Sequence, residues 1–166
     1  GNDAFQEVDI VGITRTISKY STTIRKREDL GRAIKEAFYI ARTGKPGPVI
    51  VDLPSNIVSE IGPAEYPETV NIRGYKPSTG VHIGQIKKAL EMLKNAKKPL
   101  FLIGDGVNIS HANEEFEKLV NITKVPVITT IMGKGAIPTK HPLFIGNVGM
   151  HGSYASNKAV NECDVL

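Results

Sequence analysis

Apolar residues recur at helical spacing through Leu30, Ala33, Ile34, Ala37, Phe38 and Ala41, which predicts an amphipathic helix. Asp29 is placed to cap its start, Gly44 to end it and Pro46 to forbid its continuation. Pro48-Val49-Ile50-Val51-Asp52-Leu53 follows as a strand-length apolar run, the pattern of a parallel strand covered on both faces. Upstream, Val8 to Ile17 alternates less cleanly and reads as a short helix running into irregular chain. Residues 59–82 keep no period and are punctuated by Gly62, Pro63, Pro67, Gly74, Pro77 and Gly80. A stretch of that length is too long for a connection inside a compact unit, so it reads as an interdomain linker on the surface.

A new alternation begins beyond it. Ile86, Leu90 and Leu93 mark a helix, and Pro99 to Ile103 a strand. Residues 111–122 form a second helix with Phe116, Leu119 and Val120 on its face. Val125-Pro126-Val127-Ile128-Thr129-Thr130 is a second strand, residues 152–162 a third helix, and a third strand opens at Asp164. That αβαβαβ order with short connections predicts a doubly wound parallel sheet. The expected fold class is α/β, with parallel sheets flanked by helices.

Composition narrows the function classes. Of the 166 residues, 40% are hydrophobic and 23% charged, a globular balance. The net charge of +4 is spread along the chain, and its one tight run, Arg25-Lys26-Arg27, is followed at once by Glu28-Asp29. A nucleic-acid binder clusters its cations on one face, so nucleic acid is not expected as a partner. Apolar runs fall far short of the ~20 residues of a membrane helix, so neither is a membrane. The single cysteine, Cys163, forms no internal disulfide or cysteine zinc site, which makes the reducing cytoplasm the expected compartment.

Three glycine-bearing loops follow elements of the second half: Gly104-Asp105-Gly106, Gly133-Lys134-Gly135, and Gly146 through Gly152. In open α/β sheets ligands bind outside the carboxyl ends of the strands, where glycine lets backbone approach phosphate. Each loop alone is also ordinary turn chemistry, but three on one edge point to a nucleotide-type cofactor. No phosphate fingerprint is complete. The dinucleotide motif lacks its third glycine, and Gly135 stands where a Walker A loop has Ser or Thr. His82, His111, His141 and His151 show no paired metal spacing. Ser153, two residues after His151, does not make a triad.

Several segments together carry a family resemblance. They are Asp3-Ala4-Phe5-Gln6-Glu7, Lys45-Pro46-Gly47-Pro48-Val49-Ile50-Val51-Asp52-Leu53-Pro54, Thr130-Ile131-Met132-Gly133-x-Gly135 and Gly149-Met150-His151-Gly152. In this order and spacing the chain resembles the large, catalytic subunit of acetolactate synthase, a thiamine-diphosphate enzyme. The resemblance implies a partial thiamine-diphosphate-binding fold plus a partial Rossmann-like central domain. Residues 1–58 would be the end of a pyrimidine-binding domain, 59–82 the interdomain linker, and 83–166 the first half of a central FAD-binding domain. The family's catalytic glutamate would precede Gly1, and its magnesium and diphosphate motif would follow Leu166.

Carried over residue by residue, Gln6 would hydrogen-bond reacting groups and Phe5 would pack beside them in the active-site pocket. Gly104, Asp105, Gly106, Thr130, Ile131 and Met132 match stretches that contact FAD through backbone. Gly149, Met150, His151 and Gly152 match the loop beside the flavin. Lys45 stands where the family usually has an arginine near FAD, exchanging a planar bidentate donor for a point charge. Ser55 replaces a common lysine, and Asp105 puts a carboxylate in a loop that is usually glycine. The resemblance implies thiamine diphosphate, Mg2+ and a structural FAD, with pyruvate and 2-oxobutyrate as substrates. It also implies a homodimer or tetramer with a small regulatory subunit. The alternatives are a non-catalytic cofactor-binding module and a pyruvate oxidase-like or flavin-independent thiamine-diphosphate enzyme.

Overall fold

A computed structural model describes residues 4, 5 and 7–166, arranged as two compact units, Gly1–Gly80 and Val81–Leu166. In the first unit, α1 (Ile10–Thr14) starts where the Asp9 carboxylate accepts from the Gly12 amide at 2.8 Å. The chain then forms β1 (Tyr20–Thr23), which pairs in parallel with β2 (Val49–Asp52), Tyr20 opposite Val49 and Thr23 opposite Asp52. Between them runs α2 (Leu30–Arg42), burying Ala33, Ala37 and Ile40 on one stripe. Ile24, Ala33 and Ile57 form the core of this unit, with Leu30 and Val51 packed against it. Ile57 comes from a short helix, α3 (Ser55–Ser59).

The expected helix and strand are present, and Gly44 adopts a positive φ of 59° just past the helix end, a conformation that glycine takes without a Cβ penalty. One expectation is corrected. Asp29 precedes α2 but makes no capping hydrogen bond; its carboxylate accepts instead from Arg32 at 2.9 Å, an ion pair one turn on. The strand β1 was not visible in the hydrophobic pattern, because Tyr20-Ser21-Thr22-Thr23 is hydroxyl-rich.

Residues 60–80 contain no helix or strand, yet they lie against α2. Arg27 donates to the Pro63 carbonyl at 2.9 Å, and Lys35 to those of Pro67 and Glu68 at 2.6 and 2.8 Å. The Lys35 ammonium also lies 4.9 Å from the centre of the Tyr66 ring, within cation–π range.

The second unit opens with α4 (Ile83–Asn95), whose first turn is capped by the His82 imidazole. It continues through β3 (Phe101–Ile103), α5 (Gly106–Ile109), α6 (Asn113–Thr123), β4 (Val127–Thr129), β5 (Phe144–Asn147) and α7 (Tyr154–Glu162). All strand pairs are parallel, in the order β3-β4-β5. Val165 pairs with Pro99 in a parallel bridge, and the Leu100 amide donates to the Val165 carbonyl at 2.9 Å. The sequence pattern missed β5 and opened its third strand at Asp164. The structure makes Phe144–Asn147 the third strand, reached from β4 without a helix, and Val165 the fourth position. A register shift between Val127 and Ile128 passes over Ile145 and lets Gly146 pair with Ile128.

Read from β5 inward, the chain order across the sheet is third, second, first, fourth, which is half of the doubly wound arrangement. Ile103, Val120, Val127, Ala136 and Ile137 form the core on one side, with Phe101 and Phe116 edge to face at 5.9 Å. Ile128 and Thr129 on β4 are fully enclosed. The strand order reverses beside β3, so the crevice beyond the end of β3 is the topological switch point.

Candidate functional site

The three glycine loops leave the carboxyl ends of β3, β4 and β5 and meet on one edge. The Thr130 amide donates to the Ile103 carbonyl at 2.9 Å, which extends the β3–β4 pairing into the second loop. Gly133 then comes down onto the end of β3 so closely that a Cβ there would run into the Ile103 carbonyl. The third loop is tied back in the same way. Val148 donates to the Thr129 carbonyl at 2.9 Å, and the buried Thr129 hydroxyl donates to Asn147 Oδ1 at 2.8 Å. Gly149 and Asn157 exchange two hydrogen bonds of 3.0 Å each, and Ser153 caps α7 by accepting from the Ser156 amide.

What this edge presents outward is backbone and apolar side chain. No atom lies within 4 Å of where a Cβ would stand on Gly104, Gly106, Gly135 or Gly149. Around these open positions Ile131, Met132 and Met150 are 72%, 65% and 94% exposed. These side chains add apolar surface to the loops that carry the open glycine positions. The two features together fit a ligand with a flat apolar ring and a polar tail lying along bare backbone. A flavin dinucleotide has that shape. Lys134 and His151 are exposed there, and Asp105 is half-buried. Among the described residues no group of three or more His, Cys, Asp and Glu is arranged to hold a metal ion.

Of the residues singled out in the sequence, the structure brings Gly104, Asp105, Gly106, Thr130, Ile131, Met132, Gly149, Met150, His151 and Gly152 to this edge. Gly152 is folded inward, its Cβ position crowded by the Asn147 carbonyl and the Val148–Gly149 peptide. Phe5 and Lys45 belong to the first unit. Phe5 is 93% exposed on a turn in which the Glu7 amide donates to the Ala4 carbonyl at 3.0 Å. Lys45 is exposed in the loop between α2 and β2. Gln6 lies outside the described residues. Sequence reasoning passed over the asparagines that hold the loops: Asn108, Asn113, Asn147 and Asn157. The available signal was an asparagine two residues after the first glycine loop and another inside the third.

Comparison with known proteins agrees with the fold. Residues 86–166, in the second unit, match the family described as "Thiamine pyrophosphate enzyme, central domain". The whole chain is homologous to acetolactate synthase large subunits. It is 48% identical to the probable acetolactate synthase large subunit of Methanocaldococcus jannaschii and 44% to the large subunit of Haemophilus influenzae. It is 41% identical to the isozyme 3 large subunit of Escherichia coli. Each match takes in all of this chain and 29% of the relative, so the chain spans less than a third of the length of these relatives.

Proposed function

We propose that the protein acts as an acetolactate synthase catalytic subunit, decarboxylating pyruvate and joining the remaining two-carbon unit to a second 2-oxo acid. The products would be 2-acetolactate from pyruvate and 2-aceto-2-hydroxybutyrate from 2-oxobutyrate, in branched-chain amino-acid biosynthesis. The single observation that supports this most is sequence identity of 41–48% to acetolactate synthase large subunits along all 166 residues. Thiamine diphosphate with Mg2+, when bound, supplies an electron sink for the carbanion left by decarboxylation.

This chain's part is to hold FAD on the carboxyl edge of the second unit. Gly104, Gly106, Gly135 and Gly149 would offer bare backbone to the dinucleotide, while Ile131, Met132 and Met150 would cover apolar ring surface. Lys134 is an exposed cation on that edge, available to its diphosphate, and the resemblance also assigns Lys45 to FAD. Gln6 and Phe5 would line the substrate pocket. Residues 1–58 are assigned to the pyrimidine-binding domain, 59–82 to the interdomain connection and 83–166 to the central domain. The proposed setting is the cytoplasm, as a dimer or tetramer of large subunits with a small regulatory subunit.

The test is direct. The intact protein, supplied with thiamine diphosphate, Mg2+ and FAD, is expected to convert pyruvate to acetolactate with release of carbon dioxide. Failure to form acetolactate under those conditions overturns the reading. Reduction of bound flavin by pyruvate at turnover speed would instead favour the pyruvate oxidase-like alternative.

A further inference from the structure

Two asparagines stand between the first and second glycine loops, Asn108 on α5 and Asn113 at the start of α6. Each amide carries two N–H donors. Asn113 Nδ2 donates to Asn108 Oδ1 at 3.0 Å and to the Gly135 carbonyl at 3.3 Å. Asn108 Nδ2 donates to Asp105 Oδ1 at 3.2 Å and, in the weakest of the four, to the Met132 carbonyl at 3.5 Å. The four contacts match the pair's four N–H donors. They reach the first loop at Asp105 and the second at Met132 and Gly135.

Asp105 has particular need of such a hold. It opens α5 without making a capping hydrogen bond, so Asn108 is the side chain that fixes its carboxylate. The positions beside it, Gly104 and Gly106, face open space. A carboxylate free to swing into that space would repel a dinucleotide's diphosphate, because like charges gain energy as they approach. A carboxylate tied by one oxygen to an amide donor keeps its charge in one place and leaves the backbone cradle accessible.

We infer that Asn108 and Asn113 are positioning residues for the flavin dinucleotide: they set the gap between the two loops and hold the Asp105 carboxylate clear of the diphosphate. This rests on the FAD reading above, and the experiment separates the two. FAD binding to the intact protein is followed by quenching of flavin fluorescence and by the flavin absorption band. If the unaltered protein binds no FAD, the underlying reading fails.

Given binding, Asn108→Leu is expected to weaken FAD about tenfold, the size of a lost hydrogen bond to a charged group, and to shift the bound flavin's absorption. Asn108→Asp should be worse, since a carboxylate cannot donate and would face Asp105. Asn113→Ser keeps one donor and should bind more tightly than Asn113→Ala; that pair also carries the test if Asn108→Leu does not fold. Adding Asp105→Gly to Asn108→Leu should restore affinity, because the released charge is then gone. Merely structural damage would not be repaired that way. Asn108→Leu binding FAD as tightly as the unaltered protein, or Asp105→Gly restoring nothing, overturns the inference.

Discussion

The ammonium of Lys19, just before β1, donates a 2.9 Å hydrogen bond to the phenolic oxygen of Tyr75, fifty-six positions further along the chain. The same ammonium donates to the carbonyls of Ile40 and Thr43, where a cation complements the carboxyl end of α2. Tyr75 in turn donates to the Thr43 carbonyl at 3.0 Å and stands edge to face with Tyr39 at 6.0 Å. Together with Arg27 on Pro63 and Lys35 on Pro67 and Glu68, this node makes residues 60–75 a strap laid along α2. A segment of that length without periodicity would behave as a flexible coil if untied. Here its backbone carbonyls are held by side chains of the first unit.

Removing one hydroxyl should therefore loosen the strap. Tyr75→Phe is expected to speed tryptic cleavage after Arg73 several-fold at neutral pH. Equal cleavage rates in variant and parent would show that the node does not fasten the strap. The effect has a pH signature. The hydrogen bonds from Lys19 first, and Thr43 second, hold the Tyr75 phenol below its ordinary value of 10.0. Between the lowered value and 10.0 the folded chain binds fewer protons than the unfolded one, so stability rises with pH there. The advantage of the parent over Tyr75→Phe in denaturant midpoint should grow as pH is raised from neutral towards 10.

Gly31 shows the strap acting on α2 itself. Glycine inside a helix ordinarily costs roughly 0.5–1 kcal/mol relative to alanine. At Gly31 a Cβ would collide with the Glu65 carbonyl, backbone that cannot step aside as a flexible side chain would. Gly31→Ala is thus expected to reverse the usual sign, lowering the melting temperature and raising protease sensitivity around Glu65. A rise in melting temperature would mean that the strap yields without cost.

In the second unit, β4 is the strand most thoroughly enclosed, with Val127, Ile128 and Thr129 all at 0% exposure. Ile128→Ala should cost about 2–5 kcal/mol and Ile128→Val about 0.5–1.5 kcal/mol, the difference reflecting the cavity left behind. Chemical denaturation of both variants checks the ratio. Equal small losses would indicate that neighbouring residues collapse into the space.

How far the sequence disclosed this molecule depends on where each element gets its stability. The helix α2 and strand β2 advertise themselves, because burial of their own apolar stripes holds them. The strand β1 does not, because Ser21, Thr22 and Thr23 are half-buried hydroxyl residues placed by pairing with β2. The strand β5 was hidden by Gly146 and by the extra residue at Ile145. The strap has no pattern of its own, since cations elsewhere in the chain grip its carbonyls. At the candidate site the glycines were legible because a backbone that must stay bare can be written only one way. The asparagines that hold those loops were not, because an amide in a loop looks the same whether it bonds to solvent or to a neighbouring turn.

Asp164 provides the last test, of how the fourth strand position is fastened to the first. Its carboxylate accepts from the amides of Lys97 at 2.7 Å and Lys98 at 2.9 Å, ahead of the bridge between Pro99 and Val165. Those two amides, Lys97 first, hold the Asp164 carboxyl below the ordinary aspartate value of 3.8. A depressed carboxyl contributes stability that is present above the unfolded value and lost as pH falls through the folded one. Acid should therefore release this bracket only below pH 3.8, and exchange of the Lys97, Lys98 and Leu100 amides should then accelerate together. Asp164→Asn keeps an acceptor but no charge, so it should flatten that pH dependence while partly preserving protection at neutral pH. Unchanged pH dependence in Asp164→Asn would assign the fastening to the backbone bridge alone.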